Sequence, residues 1–383
     1  MALLGSLSIR QVFDDDLSIV VLPCSRLLDT TNDNIEVIHD PRFAMAHQME
    51  IFRQRAAQSY LDIFRAFCQN RCRVRRTLCH SIQDWETVQI DAEEIDQLLQ
   101  VQLEEKPMIP ETLGSGSEPA YSLPLSSWAY LYKLRLMEWI VQLGFELEVY
   151  QMDELAGMYW YLSYLAKTRA QHVERIKAFT VRSFNEHRAK PHTLTAAQEA
   201  QFTRSLSFLR TTMLDAAVTW ELADALSNIY TVLNRMDLVV PPPRPYSTDE
   251  LRYEIRMKPF SLIGLPELPS FEAFTRATNQ SETPTGALLD YAEKAIAGAK
   301  KGYEVLAKFG EREAFTTNTH SRWLAGTQDC LKSVIFAGIA VSTLKGLAAK
   351  GSADGKVKAK VDIPTPIKCY HEWWIVPKIT RTA

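Results

Sequence analysis

The sequence predicts a mostly α-helical protein, an elongated scaffold of long antiparallel helices that ends in an extended, aromatic-rich tail. Three observations carry this. Leu125 to Leu165 packs three of the eight tryptophans and six of the fourteen tyrosines into 41 residues, a density that a buried layer or a large contact surface explains. Arg42 to about Ile82 contains neither glycine nor proline, the residues that break helices. Val361 to Ile379 is rich in β-formers and prolines and holds Tyr370, Trp373, Trp374 and Ile375. It reads as an arm that docks its aromatics onto the body or onto a partner.

In chain order, residues 1–40 are an irregular entry segment with one short apolar run, Leu17 to Leu22. Residues 41–240 form a long-helix bundle. Asp40-Pro41 starts its first helix, a capping acid before a proline whose missing amide is not needed in the first turn. Phe43, Ile51, Tyr60, Phe64 and Phe67 mark the spine. Cys68, Cys72 and Cys79, with His80 beside them, share one helical face. The outer two lie about 16 Å apart along the axis at 1.5 Å per residue, too far for one tetrahedral ion, so they read as core cysteines. Arg71, Arg73, Arg75 and Arg76 read as a solvated face making helix salt bridges. The functional alternatives are a clamp for acids such as Glu146 and Glu148, or a weak contact with ribosomal RNA. Another helix is expected from Asp91 to Glu105, followed by a Gly, Ser and Pro loop from Pro107 to Pro119.

Leu125 to Leu165 divides into two helices. Ser126 or Ser127 caps the first by accepting from the free amides of the opening turn. Trp128, Tyr132, Arg135, Trp139, Leu143 and Glu146 recur along it at steps of four and three. Leu131, Leu134, Val141 and Phe145 cover the neighbouring flank, so this helix is buried on more than one side. Gly144, which weakens a helix by about 1 kcal/mol relative to alanine, serves close packing or a bend. Asp153 suits the cap of the second helix, with Leu155, Met158, Leu162 and Leu165 along its inner face. Glu146 and Glu148 sit in the otherwise apolar GFELEVY, where burial demands a cation or a cluster of donors. The second helix then continues to about Lys190 as an exposed half carrying Lys167, Arg169, Arg175, Lys177, Arg182 and Arg188.

Thr195-Ala-Ala-Gln198 matches a capping box and opens a helix to about Met236, with Phe202, Leu206, Leu209, Met213, Ala217, Trp220 and Leu226 inward. Residues 241–286 are a Pro-rich connector with a short helix. PPPRP (Pro241 to Pro245) is a rigid spacer, Ser247 or Thr248 caps a helix through Arg256, and Pro259-Phe260 ends it. Pro266 and Pro269 keep the next segment extended. Residues 287–350 hold the C-terminal helices. The first, Gly286 to Phe309, turns Tyr291, Ile296, Tyr303 and Leu306 inward and stops at Gly310; the second spans Ser321 to Lys350. The first looks like one tetratricopeptide helix, but no repeat of that period recurs. Residues 351–383 are a basic linker, flexible from Gly351 to Gly355 and carrying Lys356, Lys358 and Lys360, followed by the tail.

Composition excludes several classes of function. A net charge of -3 gives no general attraction to nucleic acid or acidic lipid. Six scattered cysteines without a secretory leader point to reduced thiols in the cytosol. No apolar run reaches the roughly eighteen residues of a membrane span, Val334 to Val341 being too short. The chain has no P-loop, GxGxxG, GxSxG or HExxH. No catalytic, cofactor-binding or metal residue is assigned.

SSWAYLYKLRLMEWIVQLGFELEVYQMDELAGMYWYLSYL (Ser126 to Leu165) resembles the signature block of the large auxiliary subunit of NatC N-terminal acetyltransferases, above all in GFELEVY and MYWYLSYL. DELRYEIRMKPF (Asp249 to Phe260) is similar to that family's RYE-x-R-x-x-PF element, and NRCRVRRTLCH (Asn70 to His80) to its Arg-rich helix. The matches keep their order from about Pro41 to Phe260 and resemble roughly the C-terminal half of the family protein, its N-terminal half being missing. The resemblance implies a non-catalytic scaffold subunit, cytoplasmic, ribosome-associated and of fungal origin. Such a subunit binds the catalytic subunit and helps shape the site for nascent chains starting Met-Leu, Met-Ile, Met-Phe or Met-Trp. Acetyl-CoA is expected on that catalytic partner, and a small Sm-like subunit completes the complex. In keeping with this, the Q/R-x-x-G-x-G/A element that cradles acetyl-CoA is absent here. The partner-contact candidates are Trp139, Glu146, Glu148, Tyr150, Tyr159, Trp160 and Tyr161, then Arg71, Arg73, Arg76, Arg252, Tyr253 and Arg256. Each serves this subunit's own core equally well on the sequence alone. A second reading, of another class, is a helical module that tethers a complex to the ribosome or RNA. Neither involves a membrane or sequence-specific nucleic acid.

Overall fold

The computed structural model describes residues 51, 52, 54–56, 58, 59, 62, 71–98, 124–188, 196–240, 246, 248–280, 282–308, 317–354 and 359–381. The expectations for the entry segment, the Asp40-Pro41 start, Tyr60, Phe64, Phe67, Cys68, the Pro107–Pro119 loop, Thr195, PPPRP, Gly310, Gly355, Lys356 and Lys358 fall outside them, as do the side chains of Arg71 and Cys72. The fold is helical, with one two-stranded sheet among the described residues. The described residues divide into two compact units, one holding those before Met137 together with Arg169–Met213, the other Met137–Thr168 and those from Leu214 onward.

In the first unit, α1 (Arg71–Leu98) is unbroken. Asp91, read as a helix start, lies inside it and pairs with Arg55 Nη1 at 2.6 and 2.7 Å. No glycine or proline interrupts the stretch, so nothing ends the helix there. Val74, Leu78, Ile82, Trp85, Val88, Ala92 and Ile95 form its buried stripe. α2 (Leu125–Glu146) begins before the expected serine caps. Its first amides, of Leu125 and Ser126, donate to the Asp96 carboxylate at 2.9 Å each, so the cap comes from the end of α1. Trp85 stacks on Tyr132 with centroids 4.2 Å apart and tilts against Trp128 at 5.6 Å. Lys133, whose side chain is wholly buried, reaches Glu86 at 2.5 Å. Burial lowers its pKa while Glu86 holds the charge in place. The distal half of α3 (Leu155–Arg188), expected to be exposed, buries Arg169, His172, Val173, Ile176 and Phe179, while Arg175 and Arg188 face solvent.

In the second unit, α2 is buried continuously from Met137 to Glu146. Gly144 is there for close packing, since a Cβ would meet the ring of Tyr150. Both α2 and α4 (Ala196–Arg235) end in the same way. Glu148 N–H bonds to Phe145 O and Val149 N–H to Gly144 O, and the pattern recurs at Asp237 and Leu238. Glu148 and Asp237 hold the left-handed position, at φ 53° and 51°, that glycine fills in most such caps. α5 (Asp249–Met257) is capped by Thr248 as expected. The segment expected to stay extended contains α6 (Phe271–Asn279), capped by Ser270.

α7 (Thr285–Leu306) and α8 (Thr317–Asp354) are antiparallel: Trp323 Nε1 donates to Leu306 O at one end, and Lys345 bridges Asp290 and Glu293 at the other. Tyr291, read as inward, is exposed, and α8 runs through the expected break at Gly351. By length and composition Trp323–Ala349 is apolar enough to cross a bilayer, a longer stretch than the eight-residue run seen in the sequence. Here Trp323, Cys330, Val334, Ala337, Val341 and Leu344 are core residues. β1 (Ala359–Asp362) and β2 (Lys378–Arg381) pair antiparallel, Val361 opposite Ile379, and β2 packs on α8. Between them the tail docks onto its own body, with Trp373 and Trp374 buried.

A candidate interface cleft and the docked tail

The start of α3 is an acidic turn. Met152–Glu154 forms a 3-10 turn in which Glu154 accepts from the amide of Gln151 at 2.9 Å. Asp153, read as the cap, instead accepts from Arg252 Nη1 at 2.8 Å. One helical turn further along α5, Arg256 grips Glu154 with two bonds, at 2.7 and 2.9 Å. The i, i+4 spacing of the arginines matches the adjacent acids, so two ion pairs fasten α5 across the start of α3. Burial acts to lower the pKa of Arg256, and the pair with Glu154 outweighs it, leaving the guanidinium pKa raised.

Tyr253, between these arginines, donates to Pro269 O and tilts against Phe271 and Phe274 at 5.7 and 4.8 Å. Phe274 meets Trp160 edge-on at 5.6 Å and lies over Gly157, where any Cβ would strike its ring. The other end of α6 hangs from α4. Arg235 donates to Asn279 O and Thr283 O at 2.6 Å and to Gln280 O, and Thr231 donates to Thr278 O at 3.2 Å. These four helices enclose a cleft of about 470 Å³. Each arginine in its wall donates to a protein acceptor.

The tail is the second constellation. Tyr159 accepts from Ile375 N and donates to Trp373 O, and Tyr230 donates to Ile375 O at 2.8 Å. Tyr159 stacks between Phe145 at 4.1 Å and Trp374 at 6.2 Å. Burial raises both tyrosine pKa values well above the ordinary phenol range. Glu146 receives the indole Nε1–H of Trp373 at 3.4 Å.

The candidates from the sequence therefore scatter. Trp139, Glu146, Tyr150, Tyr159 and Tyr161 are buried inside this chain, and Trp160 is half-buried. Glu148 is exposed. Arg252, Tyr253 and Arg256 meet at the cleft, while Arg73 and Arg76 are exposed on α1 in the other unit. Cys79 is half-buried, its pKa raised by burial against the opposing pull of Arg75. Among the described residues no group of three or more His, Cys, Asp or Glu is placed to hold a metal ion. Sequence reasoning missed Glu154, Arg235 and Phe274 and read Asp153 as a cap rather than as the partner of Arg252. The pairing of adjacent acids with R-x-x-x-R was the one signal available.

A family model described as NAA35-like, TPR repeats, matches residues 2–376. The chain belongs to this family. The family's TPR repeats leave no fixed period in the sequence; NAA35-like helices of 22, 34, 40 and 9 residues follow one another here, and such uneven lengths blur any period. The NatC auxiliary subunit N-alpha-acetyltransferase 35 of Saccharomyces cerevisiae is 22% identical over 243 residues, 58% of this chain and 30% of that protein. The Drosophila melanogaster homolog is 24% identical over 259 residues, 62% and 32%. The Gallus gallus protein is 31% identical over 125 residues, 30% and 16%. A chain in the crystal structure of the NatC complex bound to CoA has the same fold, with a TM-score of 0.66 at 15% identity over 96% of this chain and 51% of that one. The apo NatC complex gives 0.63 at 16%, over 99% and 58%. The NAA35-like chain thus spans about half the length of these structural neighbours and at most 32% of these three relatives.

Proposed function

We propose that this chain is a non-catalytic auxiliary subunit of a NatC-type N-terminal acetyltransferase. The observation that carries the reading is the family match over residues 2–376. In this role the chain binds the catalytic subunit, which holds acetyl-CoA, and helps shape the site for nascent chains that start with Met followed by Leu, Ile, Phe or Trp. A small Sm-like subunit completes the complex, which works in the cytoplasm at the ribosome. The helical body supplies rigidity: α5 is fixed by two ion pairs, so contacts made around Arg252 and Arg256 are set before a partner arrives and cost it little ordering entropy. Exposed Glu148 and half-buried Trp160 are further contact points.

Co-expression with a NatC-type catalytic subunit, size exclusion and an acetylation assay on a Met-Leu peptide test this. Co-elution with enhanced acetylation is expected. A folded chain that elutes alone and leaves the rate unchanged overturns it. Exposed Arg73 and Arg76 on α1 favour the second reading, a tether to ribosome or RNA. Its signature is ribosome co-sedimentation that weakens with salt and needs no acetyltransferase partner.

A further inference from the structure

α5 has four sides, and the chain itself uses two of them. The inner side buries Tyr253 and Met257, with Phe260 in the 3-10 turn Lys258–Phe260 that continues the helix. One flank carries Arg252 and Arg256, committed to Asp153 and Glu154. The outward side is apolar too. Leu251 and Ile255, one turn apart and opposite the buried stripe, are 39% and 43% exposed, and Leu262, just past the 3-10 turn, is 67% exposed. A surface helix ordinarily turns charged and polar side chains outward. Three large aliphatic side chains over about 16 Å of one exposed face mark a contact surface rather than scattered surface residues.

The remaining flank supplies an independent observation. Glu250 and Glu254 lie there one turn apart, both exposed, and among the described residues neither carboxylate has a hydrogen-bond or ion-pair partner. Within DELRYEIRMKPF, Arg252, Tyr253 and Arg256 each bond elsewhere in the chain, and the Glu254 carboxylate is left over. An apolar row edged by open acids is complementary to an apolar row edged by cations. It repels anionic lipid and nucleic acid. A second copy of the chain fits poorly as well, because this face carries two acids against the single cation Lys258, and two such faces oppose like charges.

We propose that the outward face of α5 is the docking surface for an amphipathic helix of a partner protein. The apolar ridge of that helix lies on Leu251, Ile255 and Leu262, and a row of lysine or arginine sits against Glu250 and Glu254. The inference needs only the surface of α5 and does not rest on the acetyltransferase reading.

The test is selection of a displayed library of helical peptides on the purified full chain. The peptides share a Leu/Ile ridge, their flanking positions are randomised among Lys, Arg, Glu, Asp and Gln, and Ile255→Glu serves as counter-selection. Enriched peptides are expected to carry lysine or arginine flanks. Their affinity, read by fluorescence anisotropy, should fall about tenfold or more in Ile255→Glu and in the double variant Glu250→Lys/Glu254→Lys, and should weaken as salt rises. Reselection on the double variant should enrich acidic flanks instead, a reversal that loss of folding does not produce. Leu251→Gln replaces Ile255→Glu if circular dichroism shows that variant unfolded. Acidic flanks selected by the wild-type chain, no enrichment over the counter-selected variant, or affinities that no α5 substitution alters would overturn the proposal. So would a wild-type dimer in size exclusion that Ile255→Glu dissolves, since the face would then belong to a second copy.

Discussion

The hydroxyl of Tyr159 accepts from the amide of Ile375 at 2.8 Å and donates to the carbonyl of Trp373 at 2.9 Å. One side chain of α3 thereby satisfies two backbone groups of the docked tail, all of them buried. Tyr159→Phe keeps the ring and strands both groups away from water. Each such group costs about 1–3 kcal/mol, so a loss of roughly 2–4 kcal/mol in urea unfolding is expected. Tyr230→Phe, which strands the single acceptor Ile375 O, should cost about half as much. An unchanged midpoint in Tyr159→Phe would mean that ring packing alone holds the tail.

Glu154 takes part in two interactions, back-capping Gln151 and gripping Arg256. Both side chains of the ion pair are largely buried, at 14% and 6% exposure. Glu154→Ala should cost about 2–3 kcal/mol by stranding the guanidinium, and more than Arg256→Met, which leaves the back-cap in place. A double-mutant cycle reads the coupling, and a value indistinguishable from zero would remove this pair as a fastener of α5.

His172 is buried, its Nε2 2.9 Å from Ser127 O and its ring edge-on to Tyr130. Burial, assisted by the charge of Arg175, lowers its pKa to about 4, against an ordinary 6.5, although the bond to Ser127 opposes the shift. Between these values the unfolded chain binds a proton that the folded chain does not. The contribution is complete above pH 6.5 and is lost as pH falls toward 4, by up to about 3 kcal/mol. His172→Gln, which keeps a donor for Ser127 O, should flatten stability over that window. A wild-type urea midpoint that holds constant from pH 7 to 4.5 would contradict this.

Glu148 holds φ 53° at the end of α2, where its charge also faces the negative pole of the helix. Glu148→Gly removes the Cβ conflict and should stabilise by about 0.5–1 kcal/mol. Gly144→Ala, four residues earlier, should do the opposite, because the Tyr150 ring occupies the space. Thermal melts that move in the same direction for both would refute the assignment of the cap.

Helix existence was legible because period and breakers are local: α4, α5 and α7 appear within a few residues of where their patterns place them. Caps supplied from afar were not. Ser126 is a good cap by type, yet Asp96, about thirty positions away, does the capping. α6 was hidden because Pro266 and Pro269 precede it and its nine residues carry too few apolar positions to announce a period. Burial on charged stretches was equally opaque: Arg169 lies in a basic run and is 1% exposed. The tail's aromatics were visible as docking groups, but nothing in the sequence told own body from partner. The cleft depends on ion pairs about a hundred positions apart, Asp153 with Arg252 and Glu154 with Arg256, which single-sequence reasoning does not reach.

The tail's anchors lie 214, 216 and 227 positions from Tyr159 and Glu146. Closing a loop of that length is entropically slow to repay, so these contacts belong to the last stage of folding, after the local helices exist. Until then the rings of Phe145, Tyr159 and Tyr230 present a bare aromatic slot, and the unfinished chain is sticky. The amide of Ile375 should therefore be among the last to gain protection in pulse-labelled hydrogen exchange, and the lifetime of that open slot sets how long the immature protein stays prone to aggregation.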